Sequence, residues 1–334
     1  MSDRKPADAP QPPTRRAALK LLGAAGLASA AAPLARAQTA PAAPTPTPAA
    51  PPAPMAPMNG NGFYRQQLGE MTVTVVSDGT APLAALLPTW GANPDRQGEF
   101  AAALADYGVA ATNTVNHFNP VVIEIGGRRT LIDTGRGGTA GQLVANLARA
   151  GITPQSINTV FITHGHGDHI GGLTANGQPV FTNAQHVMGE AEFNFWTTQA
   201  NPNDAVKNNL IALKGRFRLI AAGAEIVPGL TSVSTPGHTA NHLSVLARVG
   251  TGPGLMVFGD AAGHFLLSLK YEGAYVGFDA DGAQAARTRQ AIFARATDEK
   301  LWVTGYHFPF PALGHLRRAA PGSYEFEPTV WNWS

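Results

Sequence analysis

Cysteine is absent from all 334 residues, so no disulfide staples this chain, no thiolate can ligate a metal and no cysteine nucleophile exists. Stability must come from a packed core, and any metal site must be built from imidazole and carboxylate. The body also lacks a Gly-Xaa-Ser-Xaa-Gly nucleophile elbow and a phosphate-binding glycine loop, which sets aside the commonest serine-hydrolase and nucleotide-binding readings. No internal period suggests a repeat architecture.

A strong charge bias is missing too. The whole chain carries 24 Lys/Arg against 22 Asp/Glu, a net +2. Residues 1–37 hold six of those bases and two of the acids, so the remainder carries 18 against 20, a net −2. No basic patch argues for nucleic acid or an acidic membrane surface. The leader itself, with Thr14-Arg15-Arg16-Ala17-Ala18-Leu19-Lys20 before an Ala/Leu-rich stretch and Ala35-Arg36-Ala37, resembles a twin-arginine export signal cut before Gln38. Ala18 departs from the phenylalanine usual there. The apolar stretch is too short and too Ala-rich to favour spanning a membrane, so the expectation is the twin-arginine export machinery as partner, a periplasmic or secreted product and no stable membrane insertion. From Gln38 to Met58 the chain is Ala, Pro and Thr with eight prolines, a disordered tether by composition. The expected folded body is 59–334.

Within it, Val160-Phe161-Ile162-Thr163-His164-Gly165-His166-Gly167-Asp168-His169 packs four metal-ligand side chains into six residues after an apolar strand pattern. On an extended backbone His164 and His166 point the same way and can share one cation. The following turn swings Asp168 and His169 toward a second, so the spacing implies two metals.

The surrounding pattern predicts strands at Met71–Ser77, Val121–Ile125, Thr130–Ile132, 157–163, Leu230–Ser234, Leu243–Arg248, Leu255–Phe258 and Leu301–Thr304. Gly126-Gly127 reads as a hairpin turn. Helices are expected over Ala140–Ala150, Ala191–Gln199, Ala205–Leu213 and Ala283–Arg295. Ser234-Thr235-Pro236-Gly237-His238, Phe258-Gly259-Asp260 and Gly305-Tyr306-His307 each place a candidate ligand just past a strand. A lone histidine is usually structural or at the surface, and His117, His186, His242, His264 and His315 are read that way.

The order of these clusters resembles the metallo-β-lactamase superfamily. That resemblance implies an α/β fold, an αββα sandwich of two mixed β-sheets flanked by helices. It makes His164, His166 and His238 ligands of one metal, Asp168, His169 and His307 ligands of the other, and Asp260 the bridge. Asp133, in Leu131-Ile132-Asp133-Thr134-Gly135, would orient a ligand histidine; its plainer reading is a strand-ending Asp that caps a turn. Imidazole and carboxylate without thiolate suit Zn²⁺, with Fe or Mn²⁺ as alternatives. The expected chemistry is attack by a metal-bridging hydroxide on a small ester, lactone or organophosphate, with Asp168 also taking a proton.

Gly62-Phe63-Tyr64-Arg65, Leu68-Gly69, Ser77-Asp78-Gly79-Thr80, Phe195-Trp196, Phe308-Pro309 and Gly314-His315 resemble the methyl parathion hydrolase branch. The short loop after Gly135 and the segment Ala261–Leu267 depart from it. Trp196 is the expected pocket aromatic, with Phe193, Phe195, Phe265, Tyr271 and Tyr275 as further candidates for an apolar wall. A β-lactamase-type amide hydrolase and a non-catalytic metal-binding protein stand as alternatives. The partners expected are a small-molecule substrate and, from the family's habit, a second copy in a homodimer, with no nucleic acid.

Overall fold

A computed structural model describes residue 60 and residues 62–329; the expected leader and tether lie outside the described residues. Two seven-stranded sheets are stacked face to face. The first runs, in spatial order, Phe63–Leu68, Met71–Val76, Val121–Ile125, Arg128–Ile132, Thr159–Ile162, Gln185–Gly189 and Phe217–Ile220. Its first four strands are antiparallel neighbours and its last three join in parallel. The second runs Glu225–Val227, Leu230–Ser234, Leu243–Ala247, Leu255–Val257, Trp302–Thr304, Leu313–Ala320 and Ser323–Pro328. Only its Leu255–Val257 and Trp302–Thr304 pair is parallel.

Period-two side-chain alternation explains why both faces of the central strands are apolar. Val121, Ile123, Ile132 and Phe161 point inward and meet Leu243, Val245, Leu255 and Val257 of the facing sheet. Val122, Leu131, Val160 and Ile162 point outward onto Leu143 and Leu147 of helix Leu143–Arg149 and Phe193 of helix Glu190–Thr197. On the far side, Met256 and Val303 pack against Ile292, Phe293 and Ala296 of helix Gly282–Asp298. Each fully buried Phe or Ile contributes roughly 1.5–3 kcal/mol of transfer free energy, so burial on two faces is what makes these short strands stable. The expected αββα sandwich is the observed fold.

The predicted hairpin at Gly126-Gly127 is present, both glycines having the positive φ of a tight two-residue turn. The domain begins one strand earlier than Met71, at Phe63. Helix Leu143–Arg149 is shorter than 140–150 because Asp78 Oδ1 accepts the Gln142 and Leu143 N–H groups and fixes its start. The segment expected to be a helix over 205–213 is one α-turn, Asp204–Val206, running into a π-turn, Lys207–Ile211. Outside the sandwich, an antiparallel pair of strands, Thr80–Ala85 and Thr112–His117, and helix Gln97–Asp106 form a cap with its own small core of Leu86, Trp90, Phe100, Leu104 and Val276. Among the described residues no helix is long and apolar enough to cross a membrane.

Candidate metal centre

All seven expected ligands follow strand ends at one rim. His164 and His166 lie beyond Thr159–Ile162, and Asp168 and His169 occupy the short helix Gly167–Ile170. His238 follows Leu230–Ser234, Asp260 follows Leu255–Val257 and His307 follows Trp302–Thr304. Loops anchored on strands on both sides give these side chains a fixed frame.

The structure brings the seven together in two groups that can each hold a metal ion: His164, His166, His238 and Asp260, and Asp168, His169 and His307. In the first, His164 Nε2 lies 2.9 Å and His238 Nε2 3.0 Å from His166 Nδ1. Asp260 Oδ2 is 3.2 Å from His238 Nε2. In the second, Asp168 Oδ2 is 3.8 Å from His169 Nε2 and 3.6 Å from His307 Nε2. Asp260 also reaches this group, with Oδ1 3.2 Å from His169 Nε2 and Oδ2 3.2 Å from His307 Nε2. One carboxylate therefore touches both groups.

Proton placement tests whether these donors suit cations. His169 Nδ1 is 2.8 Å from Asp133 Oδ2, His307 Nδ1 is 2.7 Å from the His117 carbonyl, and His164 Nδ1 is 3.0 Å from Thr163 Oγ1. Thr163 Oγ1 donates its own proton to Asp133, so it accepts from His164. Each of these three imidazoles thus holds its proton on Nδ1 and turns an Nε2 lone pair inward, whereas His166 turns Nδ1 inward. His169 Nε2 and Asp260 Oδ1 are buried with no hydrogen-bond partner. Converging lone pairs repel one another unless positive charge lies between them, and the residues fit a pair of divalent cations.

The electrostatics make the same demand. Burial, then His169 and His166, hold His164 well below the ordinary histidine range. Burial and His238 lower His166 to about 4. Burial opposes charge on Asp260 as well, but His307, His169 and His238 outweigh it and keep the carboxyl well below its usual value. Asp260 in turn overcomes the burial of His238, raised to about 9, and of His169, raised well above its usual value. Without metal, protons are the cations this pocket would recruit.

Asp133 has φ 61°, a left-handed conformation that Asp tolerates better than most residues. Its oxygens accept from Thr163 N, Thr163 Oγ1 and His169 Nδ1, so it stands behind His169. His242, read from sequence as structural, lies behind His164, and its Nε2 accepts the Asp260 N–H.

A cavity of about 380 Å³ opens over the metal groups. Its apolar wall is Trp90, Phe118 and Phe278, and Asn116 and Arg136 add polar atoms. Trp90 and Phe118 rings lie 5.2 and 5.5 Å from His307, and Phe278 remains 58% exposed. Trp196 is not among the residues lining this cavity. It stands behind His166, ring centroids 5.5 Å apart, with its indole N–H on Glu192 Oε1 at 2.6 Å. Phe193 belongs to the core under the first sheet, Phe195 is largely exposed, and Phe265 and Tyr271 pack in the cap. The wall residues were missed because they come from irregular segments of no period. Their proximity to one another is a product of the cap.

Residues 116–268 match the family described as the metallo-beta-lactamase superfamily. N-acyl homoserine lactonase from a Bacillus species is 28% identical over 149 residues, 44% of this chain and 55% of that protein. The Bacillus cereus protein of the same name is 27% identical over 148 residues, with the same coverage. The chain spans about half the length of these curated relatives. Among solved structures, the hydrolase AbOPH of the beta lactamase superfamily superposes with TM-score 0.73 at 24% identity, covering 81% of this chain and 98% of that one. AidC, described as a dizinc quorum-quenching lactonase in complex with a homoserine product, gives 0.73 at 22%, covering 83% and 100%. These likenesses carry the metallo-β-lactamase fold. They correct the expected placement in the methyl parathion hydrolase branch, since the similarity runs to lactonases and to AbOPH. The misleading motifs serve packing: Phe63, Tyr64 and Phe308 are buried in the cores and Asp78 caps a helix.

Proposed function

We propose that this chain is a dinuclear metal-dependent hydrolase that opens lactones and cleaves small esters with an apolar acyl portion. The observation that carries this reading is the convergence of five imidazoles on one buried carboxylate at the floor of an aromatic-walled cavity. His164, His166 and His238 would hold one ion and Asp168, His169 and His307 the other, with Asp260 shared. Donors without sulfur and rich in imidazole favour zinc. When bound, such a pair supplies Lewis acidity at the scissile group and lowers the pKa of water.

The protein's own groups do the rest. Trp90, Phe118 and Phe278 offer an acyl chain an apolar surface and exclude water beside it. Asn116 and Arg136 add polar atoms to this wall that can meet the polar head of a substrate. Asp168 is the most exposed of the two site carboxylates at 28%, and it faces the cavity where a proton must be taken from a nucleophile or delivered to a leaving alkoxide. The likeness to lactonases supports lactone as the first substrate class to try.

The test is turnover of an N-acyl lactone, an aryl ester, a phosphotriester and a cephalosporin by zinc-loaded protein, with bound metal measured by elemental analysis. Lactone or ester hydrolysis with two metals per chain, abolished by chelator and restored by zinc, is expected. A loaded protein inert toward both would refute the proposal. The leader sequence supports export to the periplasm, and fractionation of cells expressing the full chain, with and without Arg15→Lys and Arg16→Lys, checks it.

A further inference from the structure

His238, like His307, draws its Nδ1 support from outside the metal loops, but from a carboxylate rather than a backbone carbonyl, and from a residue no motif marks. Its Nδ1 lies 3.2 Å from Asp279 Oδ1. Asp279 Oδ2 accepts the Val276 N–H at 2.9 Å and lies 3.4 Å from Arg289 Nη2. Both members of this ion pair are buried, the Arg289 side chain fully. Arg289 projects from helix Gly282–Asp298, and its guanidinium also donates to the Ala274 and Glu272 carbonyls.

A buried ion pair is a poor way to gain stability, because desolvation cancels most of the attraction. Its position explains it better. The same segment clamps the His238 loop through backbone bonds, Ala280 N to His238 O and Asp281 N to Gly237 O, both 3.0 Å. Gly237 has no room for a side chain, since a Cβ there would lie 2.2 Å from Ala285 N. The loop is pinned by the helix start, and the imbedded carboxylate then determines which imidazole nitrogen carries the proton.

We infer that Asp279 is a positioning residue for His238, held in place by Arg289. By accepting the Nδ1–H it fixes the tautomer whose Nε2 lone pair faces His166 and Asp260. This inference rests on the dinuclear reading of the site and assigns Asp279 to one of the two metal groups only. Asp279 does for His238 what Asp133 does for His169, from the segment that leads into helix Gly282–Asp298.

Two measurements test it on the full chain. In zinc-loaded parent protein, long-range ¹H–¹⁵N correlation of the histidine rings should show His238 protonated on Nδ1, with Nε2 the coordinated nitrogen. In Asp279→Asn, titration with zinc against a competing chelator should show affinity for one ion per chain reduced about 10- to 100-fold, the second ion held as in the parent. A His238 protonated on Nε2 overturns the inference whether or not the variant folds. So does a folded variant that binds both ions with parental affinity, or loses both equally, with only its melting temperature lowered: that is a structural role. Parent protein that binds no metal at all removes the dinuclear proposal and this inference with it, whereas two ions held with equal affinity in both proteins removes this inference alone.

Discussion

Replacing Asp133 separates what this carboxylate does for folding from what it does for metal. Three buried donors converge on it at 2.8–2.9 Å: Thr163 N–H, Thr163 O–H and His169 Nδ1–H. Asn keeps the shape and tolerates the left-handed φ of 61°, but it has one accepting oxygen and turns an NH₂ toward a donor. With its oxygen at the Oδ2 position Asn keeps the Thr163 O–H and His169 Nδ1–H contacts and loses that of the Thr163 N–H, and one buried donor left unsatisfied costs about 1–3 kcal/mol, so a loss of about 2 kcal/mol is expected. At roughly 2–4 °C per kcal/mol for a domain of this size, chelator-treated Asp133→Asn should melt about 4–8 °C below the parent. Asp133→Ala should be worse by about another 1 kcal/mol, because a Cβ without a compensating side-chain bond is strained at this φ. Zinc should rescue the parent more than the variant, because a neutral amide orients and polarises His169 less than a carboxylate does and its metal group weakens about 10- to 100-fold. Calorimetry of the parent and both variants, with and without zinc, reads all three quantities. An Asn variant that melts within about 1 °C of the parent and gains as much from zinc would show that Asp133 only ends a strand.

Gly165→Ala would drive a Cβ to 2.3 Å from Trp196 Cδ1, displacing the backbone between His164 and His166, so turnover should drop at least about tenfold. The double variant with Trp196→Ala should recover part of it, and a double variant no better than the single one argues against Trp196 as the fixed backstop. Phe278→Ala, at a site 58% exposed, should change stability by less than about 0.5 kcal/mol yet raise KM for long-chain lactones several-fold, with little effect on short ones; equal effects on both would remove Phe278 from the acyl wall. His186 is buried with neither ring nitrogen bonded, and burial, with Arg216, lowers its pKa to about 4. The unfolded chain takes up that proton near pH 6.5 and the folded one does not until about 4, so stability is complete above 6.5 and falls as pH drops through this window, by about 3 kcal/mol at most. His186→Leu should flatten the pH dependence of the melting temperature between 6.5 and 4, and an unchanged slope would place the acid sensitivity elsewhere.

The metal motif was legible because four of its ligands are contiguous and follow a strand of unbroken hydrophobicity. His238, Asp260 and His307 were not legible in that way. Each is a single residue on a common turn, and only the resemblance of the whole pattern singled them out. The cap escaped altogether: Thr80–Ala85 reads TAPLAA, with a proline and no alternation, and its strand exists because Thr112–His117 pairs with it. Gln185–Gly189 hid behind His186, a polar residue in a fully buried position. Trp196 misled for a geometric reason. It is near His166 in space as its sequence position suggests, but helix Glu190–Thr197 packs beneath the first sheet and presents the indole to the back of the ligand loop, while the cavity opens at the front.

What assembles the scattered ligands is strand register. Val257 pairs with Thr304 in parallel, and Asp260 and His307 each lie three residues beyond that pair, so equal offsets deliver them to the same height with 3.2 Å between carboxylate and imidazole. In the other sheet Ile132 pairs with Phe161, which sets Asp133 beside Thr163 and one residue before the first ligand. The two sheets are then locked to each other at the rim by Leu243 N–H to the Thr163 carbonyl, 3.1 Å. A slip of one residue in either parallel pair would move a ligand by about 3.3 Å and turn it to the opposite face. Such a slip would also send Val257 or Phe161 out of the inter-sheet core. The hydrophobic pattern that excludes it is therefore the same pattern that holds the seven donors together, and core substitutions at Phe161 or Val257 should weaken metal affinity before they abolish folding.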